Sequence, residues 1–252
     1  MNRIGVVGAT GRTGSKVLEA VLASKSAVLA AAIASPRSPK AGAVVPGAEV
    51  TYSIDLASLK GCDVVIEFTN PETSIQVVEQ CADLAVPVLV ATTGHSEELV
   101  QRITRAASRI PIVVAPNTSL GAAILSFLTE QARELSAGSF DIEVMEIHHR
   151  MKKDAPSGTA RALVSAATSA GQQVVFGREG LRGEDEVGVV ALRGGDIPGD
   201  HTVYLLGEGE RIELTHRVHD RRVFGAGAVT LAERLIGRKP GLYTVRSLLL
   251  KA

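Results

Sequence analysis

The chain has 252 residues, enough to bury a sizeable core in one large domain or two modest ones. Its 27 basic and 27 acidic residues cancel, and only 3% of it is aromatic with no tryptophan. These values exclude a nucleic-acid or membrane-surface partner held by bulk charge, and a base-stacking surface.

Cys62 and Cys81 are the only cysteines, too few for a disulfide scaffold and without metal-ligand spacing. No charged and then apolar leader opens the sequence, and no apolar run approaches the ~20 residues of a membrane span. A soluble, cytoplasmic protein is expected.

Ile4 to Val7 is a short apolar run that breaks into Gly8-Ala9-Thr10-Gly11-Arg12-Thr13-Gly14, after which Val17, Leu18, Val21 and Leu22 recur at helical spacing. Strand, glycine turn and helix in that order are what a dinucleotide-binding loop requires. The glycines allow a tight turn and close approach of a pyrophosphate, and the helix start supplies N–H donors. The spacing is G-x-x-G-x-x-G in place of the commoner G-x-G-x-x-G. Its N-terminal position and the alternation that follows favour a cofactor loop over a structural turn.

Val28 to Ala34 reads as the second strand. Where an acidic residue would bind the adenosine ribose of NAD, the sequence has Ala34-Ser35-Pro36-Arg37, with Lys40 just beyond. Ser35 and Arg37 suit a 2′-phosphate, so NADPH is expected to be preferred, with NADH also used. Val64 to Phe68, Pro87 to Ala91 and Ile112 to Ala115 are further buried strands, separated by amphipathic segments around Ile75, Val78, Ala82 and around Leu99, Ile103, Ala107. Strands alternating with helices imply a parallel, doubly wound sheet. Ligands gather at the carboxyl ends of such strands, where this chain places Glu67 to Pro71, Ala91 to Gly94 and Ala115 to Ser119.

Ala122 to Leu135 has the pattern of a long apolar helix leading out of the first domain. From Phe140 to Val144, apolar residues alternate with Asp141 and Glu143, the period of a half-buried strand. If that strand continues, His148 and His149 point to opposite faces, which argues against a two-histidine metal site. Arg150, Lys152 and Lys153 follow, and then a turn from Asp154 to Thr159 feeding a helix from Ala160 to Ala170. A helix start with free N–H groups, the Ser157 and Thr159 hydroxyls and the Lys152 charge make an anion cradle. Histidine beside it suits proton exchange near neutral pH.

Val187 to Leu192, His201 to Leu206 and Arg211 to Val218 read as strands joined through Gly194-Gly195 and Gly207-Glu208-Gly209. Consecutive strands of this kind suggest a mostly antiparallel sheet with one face open to helices or another subunit. On residue type alone, His201 and His216 are structural. A helix from Val223 to Ile236 and a terminal segment from Tyr243 to Leu250 are expected to return to the first domain.

The stretch EIHHRMKKDAPSGTA, Glu146 to Ala160, resembles the signature E-x-H-H-x-x-K-x-D-x-P-S-G-T-A of the 4-hydroxy-tetrahydrodipicolinate (dihydrodipicolinate) reductases. Glu146, His148, His149, Lys152, Asp154, Pro156, Ser157, Gly158, Thr159 and Ala160 all match. Arg193-Gly194-Gly195, His201-Thr202-Val203 and Thr215-His216 resemble further motifs of that family, and the likeness extends over nearly the whole chain. Departures are Pro198 and Asp200, His219-Asp220, and the missing acidic cofactor residue; they bear on cofactor choice and substrate fit.

The resemblance implies an α/β protein: an N-terminal Rossmann-type doubly wound parallel sheet (1–119 and 222–252) and a second α+β domain with a mixed, mostly antiparallel sheet (120–221). The second domain would bind substrate and carry a homotetramer interface. The implied reaction is NAD(P)H-dependent reduction of 4-hydroxy-tetrahydrodipicolinate, a small dicarboxylate, to tetrahydrodipicolinate with loss of water, in lysine and diaminopimelate biosynthesis. His148 is then the candidate acid and Lys152 the candidate cation and alternative proton donor, with His149, Ser157, Gly158 and Thr159 on a substrate carboxylate. Gly8, Gly11, Arg12 and Gly14 would lie at the cofactor pyrophosphate, Ser35 and Arg37 at the 2′-phosphate, and Phe68, Thr93, Gly94 and Asn117 near the nicotinamide. Arg221 would close over it from the second domain. Alternatives are a reductase of the same fold acting on another cyclic imine and a non-catalytic NAD(P)H sensor; the intact His148, Lys152 and Ser157-Gly158-Thr159 argue against the sensor.

Overall fold

Strand β1 (Asn2–Val7) is buried from Ile4 to Val7 and stops at Gly8, whose φ of +77° disfavours any side chain. This computed structural model describes residues 1–249. Helix α1 (Gly14–Ala23) follows and buries Val17, Leu18 and Val21 along one stripe. Then come β2 (Ala27–Ile33), the two-residue β3 (Tyr52–Ser53), a short 3-10 turn at Leu56–Leu59 and β4 (Val64–Glu67), buried throughout. Helix α2 (Pro71–Leu84) starts on an Asn70 cap that accepts from the Thr73 N–H at 3.0 Å, with proline in the first turn where its missing N–H costs nothing. Strand β5 (Val88–Val90), helix α3 (Glu97–Ala107), capped by Ser96 with Glu97 and Glu98 at its positive end, and β6 (Pro111–Val114) complete this run.

The next elements are α4 (Leu120–Ser136), β7 (Asp141–His148), α5 (Gly158–Ala167), β8 (Gln173–Phe176), β9 (Glu186–Arg193), β10 (Asp200–Gly207) and β11 (Glu210–Arg217). The five strands form one sheet in the order β11-β10-β7-β9-β8. It is mixed as expected, but evenly so: β10 is antiparallel to β7 and β11, while β9 is parallel to β7 and β8. Although β9 and β10 are consecutive, they flank β7, so Gly194-Gly195 is no hairpin. The loop between them crosses the end of β7, where His149 N–H donates to Ile197 O at 2.8 Å. Ile142 and Val144 of β7 pack with Leu125, Leu163, Val164, Val187, Val189, Val203 and Leu205, each worth about 1.5–3 kcal/mol of burial. Helix α5 ends at Ala167, short of the expected Ala170, because Thr168 is extended and its hydroxyl donates to Val164 O at 2.7 Å.

The chain then forms α6 (Arg222–Leu235), β12 (Gly241–Thr244) and α7 (Val245–Leu249). Leu250, the end of the expected terminal segment, lies outside the described residues. Strand β12 joins β6, giving a seven-stranded sheet in the order β12-β6-β5-β4-β1-β2-β3 with every pairing parallel. Helix α6 packs on α1 so closely that a Cβ on Gly225 would strike the Lys16 carbonyl. Two units result: Met1–Ser119 with the stretch from Arg221 onward, and Leu120–Asp220. Arg221 thus falls in the first unit, not the second, where the resemblance put it, because it is the N-cap residue of α6.

Candidate active site

In the second unit the site is built around a carboxylate. Strand alternation puts Ile142, Val144, Glu146 and His148 on the buried face of β7, and Glu146 has no accessible surface. Four donors surround it. Arg193, at the end of the neighbouring β9, grips both oxygens with its two terminal nitrogens at 3.0 and 2.8 Å. The Ser157 N–H donates at 2.9 Å, and His148 Nδ1 contacts Oε2. Arg193 also holds the Asp154 carbonyl at 2.7 Å, which ties the Asp154 to Ser157 turn to the strand end.

Ser157 caps α5 by accepting from the Ala160 N–H at 3.1 Å, so the first turn of that helix opens at Gly158 and Thr159. A helix start offers its positive end to a carboxylate. On its other side Ser157 Oγ meets His201 Nε2 at 3.2 Å, and the His201 ring stands edge-on to His148 with centroids 5.2 Å apart. A Cβ on Gly199 would lie 2.8 Å from His148 Nε2, so only glycine leaves that nitrogen its space. Lys152 pairs with Asp154 at 2.9 Å. Strand β7 ends at His148, and His149 opens the next turn, half-buried.

The electrostatics follow from this packing. Burial pushes the Glu146 carboxyl up, but hydrogen bonds from Arg193, Ser157 and His148 outweigh it and hold the group below the usual carboxylate range. His148 goes the other way: burial lowers it, Glu146 pulls it back up, and the charges of Lys152 and Arg193 press it down again, leaving it below an ordinary histidine. Burial, reinforced by the charge of His148, pushes His201 down to about 4, so it stays neutral. Glu146, His148 and His201 bring donor atoms within 4.8 Å of one another. With the carboxylate already taken up by a guanidinium, an amide and an imidazole, the positive charge at this spot is that of Arg193.

In the first unit the glycine loop has the shape a pyrophosphate needs. A Cβ on Gly14 would strike the Gly8 carbonyl, a Cβ on Gly8 would strike the Phe68 carbonyl, and no side chain caps α1. Arg12 is exposed beside them. Ser35, Arg37 and Lys40 are exposed past the end of β2, with the Arg37 N–H donating to Ser35 Oγ at 3.3 Å. Phe68, Thr93, Gly94 (φ +85°) and Asn117 lie past the carboxyl ends of β4, β5 and β6. The residues present fit a dinucleotide. Arg221 is exposed at the start of α6.

Three members of the cluster were not singled out as site residues from sequence. Glu146 had a usable signal, since two residues before His148 on a strand is the same face. Arg193 and His201 stood in family-like motifs, but their partners are distant in sequence. Of the departures, Pro198, Asp200 and His219 line one shallow cavity of this unit with Asp196, Ile197, Arg217 and Val218.

Two family models together span the chain: dihydrodipicolinate reductase, N-terminus, over residues 2–118, and dihydrodipicolinate reductase, C-terminus, over 121–249. A Thiobacillus denitrificans protein named 4-hydroxy-tetrahydrodipicolinate reductase is 43% identical, over 98% of each chain. An Aquifex aeolicus protein of the same name is 40% identical, covering 96% of this chain and 97% of its own. Among solved structures, the dipicolinate-bound dihydrodipicolinate reductase from Paenisporosarcina sp. TG-14 shares the fold with a TM-score of 0.79 at 23% identity, covering 99% of this chain and 100% of that one.

Proposed function

The chain belongs to the dihydrodipicolinate reductase family, so its reaction is the NAD(P)H-dependent reduction of 4-hydroxy-tetrahydrodipicolinate in lysine and diaminopimelate biosynthesis, and we propose the parts its own residues take in it. Loss of the 4-hydroxyl as water leaves a conjugated imine, to which the bound cofactor supplies hydride. The protein must hold two carboxylates, orient the ring and provide a proton.

His148 is the acid. Glu146 occupies its Nδ1, which leaves Nε2 as the nitrogen that exchanges a proton. Without substrate its lowered pKa keeps it mostly neutral, and the arrival of two carboxylates raises that pKa and loads the proton when it is needed. Lys152 stabilises the electron-rich intermediate. His149 and the first turn of α5, through Ser157, Gly158 and Thr159, hold one carboxylate.

On the cofactor, Gly8, Gly11, Arg12 and Gly14 take the pyrophosphate, and Phe68, Thr93, Gly94, Asn117 and Arg221 the nicotinamide end. Ser35 and Arg37 take a 2′-phosphate, which makes NADPH the preferred form. The substrate unit assembles into a homotetramer through the open face of its sheet, where Val190, Leu192 and Leu206 are exposed. No described helix is long and apolar enough to cross a membrane. We assign the protein to the cytoplasm, where reduced cofactor and free thiols such as Cys62 and Cys81 persist.

The observation that carries this reading is the convergence of His148, Arg193 and the start of α5 on Glu146. The test follows NADPH oxidation at the nicotinamide absorbance band, with substrate generated in situ by its synthase, for wild type and His148→Ala. Rapid oxidation that collapses in the variant is expected. A wild type that binds NADPH yet oxidises none of it would overturn the reading.

A further inference from the structure

Glu67 ends β4 with no accessible surface, and none of the roles above uses it. A buried carboxylate is costly unless its lone pairs are met. Here both oxygens are met by donors from three segments. On Oε1, the Ser74 hydroxyl of α2 donates at 2.7 Å and the Thr92 N–H at 3.3 Å. On Oε2, the hydroxyls of Thr69 and Thr92 donate at 2.7 and 2.8 Å. Thr92 Oγ1 in turn accepts from the Thr69 N–H at 2.8 Å, which locks the loop after β4 to the loop after β5. The Thr92 N–H can only donate, and each of the three hydroxyls can turn a hydrogen toward the carboxyl oxygens. Among the described residues no lysine or arginine pairs with Glu67, in contrast to Glu146, which Arg193 neutralises.

The two loops so locked are those that carry Phe68, Thr93 and Gly94, assigned above to the nicotinamide end. Giving up hydride leaves the nicotinamide ring with a positive charge. An unneutralised negative charge fixed beneath those loops, in surroundings of low dielectric, favours that cationic ring over the neutral reduced one. We propose that Glu67 is a positioning residue of the hydride-donor site whose buried charge biases the site toward the oxidised cofactor. The proposal rests on the nicotinamide assignment made above.

The test needs no turnover. Dissociation constants for NADPH and NADP⁺ are measured by fluorescence titration and calorimetry on wild type and on Glu67→Gln, which keeps the size and loses the charge, its amide N–H₂ taking the Oε2 place where the Thr69 and Thr92 hydroxyls can turn to accept. Affinity for NADP⁺ is expected to fall about tenfold relative to that for NADPH, the size of a single charge effect of one pKa unit. Glu67→Met, uncharged and of similar volume, is the second variant, with the same change in ratio expected. Equal weakening of both forms, or no change in either, overturns the proposal, because a merely structural role moves the two constants together. A wild type that binds neither form would instead overturn the cofactor assignment and take this inference with it.

Discussion

Glu146 and His148, two residues apart on one face of β7, are joined carboxylate to Nδ1, and Arg193 grips the same carboxylate from β9. The proposed acid is therefore held by a group whose own charge is partly spent on a guanidinium. Glu146→Gln keeps the shape and removes the charge that pulls His148 upward. An acid must be protonated to act, so activity is lost as pH rises through its pKa. The limb of kcat/KM that falls with rising pH should move to lower pH by about one unit, which a pH–rate profile will show.

His148→Gln and Lys152→Met separate the two candidate proton donors. Loss of the acid alone should lower kcat by roughly 10²- to 10⁴-fold with little change in KM. Loss of the cation should weaken substrate binding as well, because a positive charge close enough to press on His148 also attracts a dicarboxylate. A kcat collapse with unchanged KM in Lys152→Met, and not in His148→Gln, would transfer the acid role to Lys152.

His201 makes stability depend on pH. It is buried and its pKa is pushed from 6.5 down to about 4. As pH falls below 6.5 the unfolded chain takes up a proton that the folded chain refuses until about pH 4. Stability is therefore lost across that window, by roughly 3 kcal/mol from this group. Urea denaturation of wild type and His201→Phe at several pH values should show a shallower acid decline in the variant, whatever its stability at neutral pH.

Arg37→Ala tests the choice of cofactor. With Ser35 and Arg37 exposed past β2, the variant should raise the Michaelis constant for NADPH about tenfold and leave that for NADH within roughly twofold. Equal effects on the two would remove Arg37 from the 2′-phosphate.

The open sheet face carries the assembly proposal. Val190 and Leu192 are 43% and 45% exposed there, aligned with Met145 and Ile147 of β7. Sedimentation velocity should find a tetramer for wild type and smaller species for Val190→Asp, since an interface core is depleted of charge and an aspartate buried there would lose its hydration. A wild-type monomer would end the proposal.

The first unit was largely legible because strands buried on both faces of a parallel sheet read as unbroken apolar runs, and their helices as stripes. β3, β8 and β12 escaped notice because each is a short edge strand, only partly buried and so without the unbroken apolar run of the central strands. Spacing within one strand was enough to put Glu146 beside His148. It could not show Arg193, 47 residues from Glu146, or His201, 44 residues from Ser157, because which strands adjoin is decided by packing. The same blindness to pairing made Gly194-Gly195 look like a hairpin when β7 lies between the strands it joins.

The first unit is assembled from both ends of the chain. Helix α6, which packs on α1 and against β4 and β5, and the edge strand β12 both come after Asp220. During synthesis, Leu120–Asp220 is therefore complete and free to fold while the dinucleotide sheet still lacks an edge strand and the helix over its middle. A ribosome that stalls just past Asp220 leaves behind a finished guest and an unfinished host.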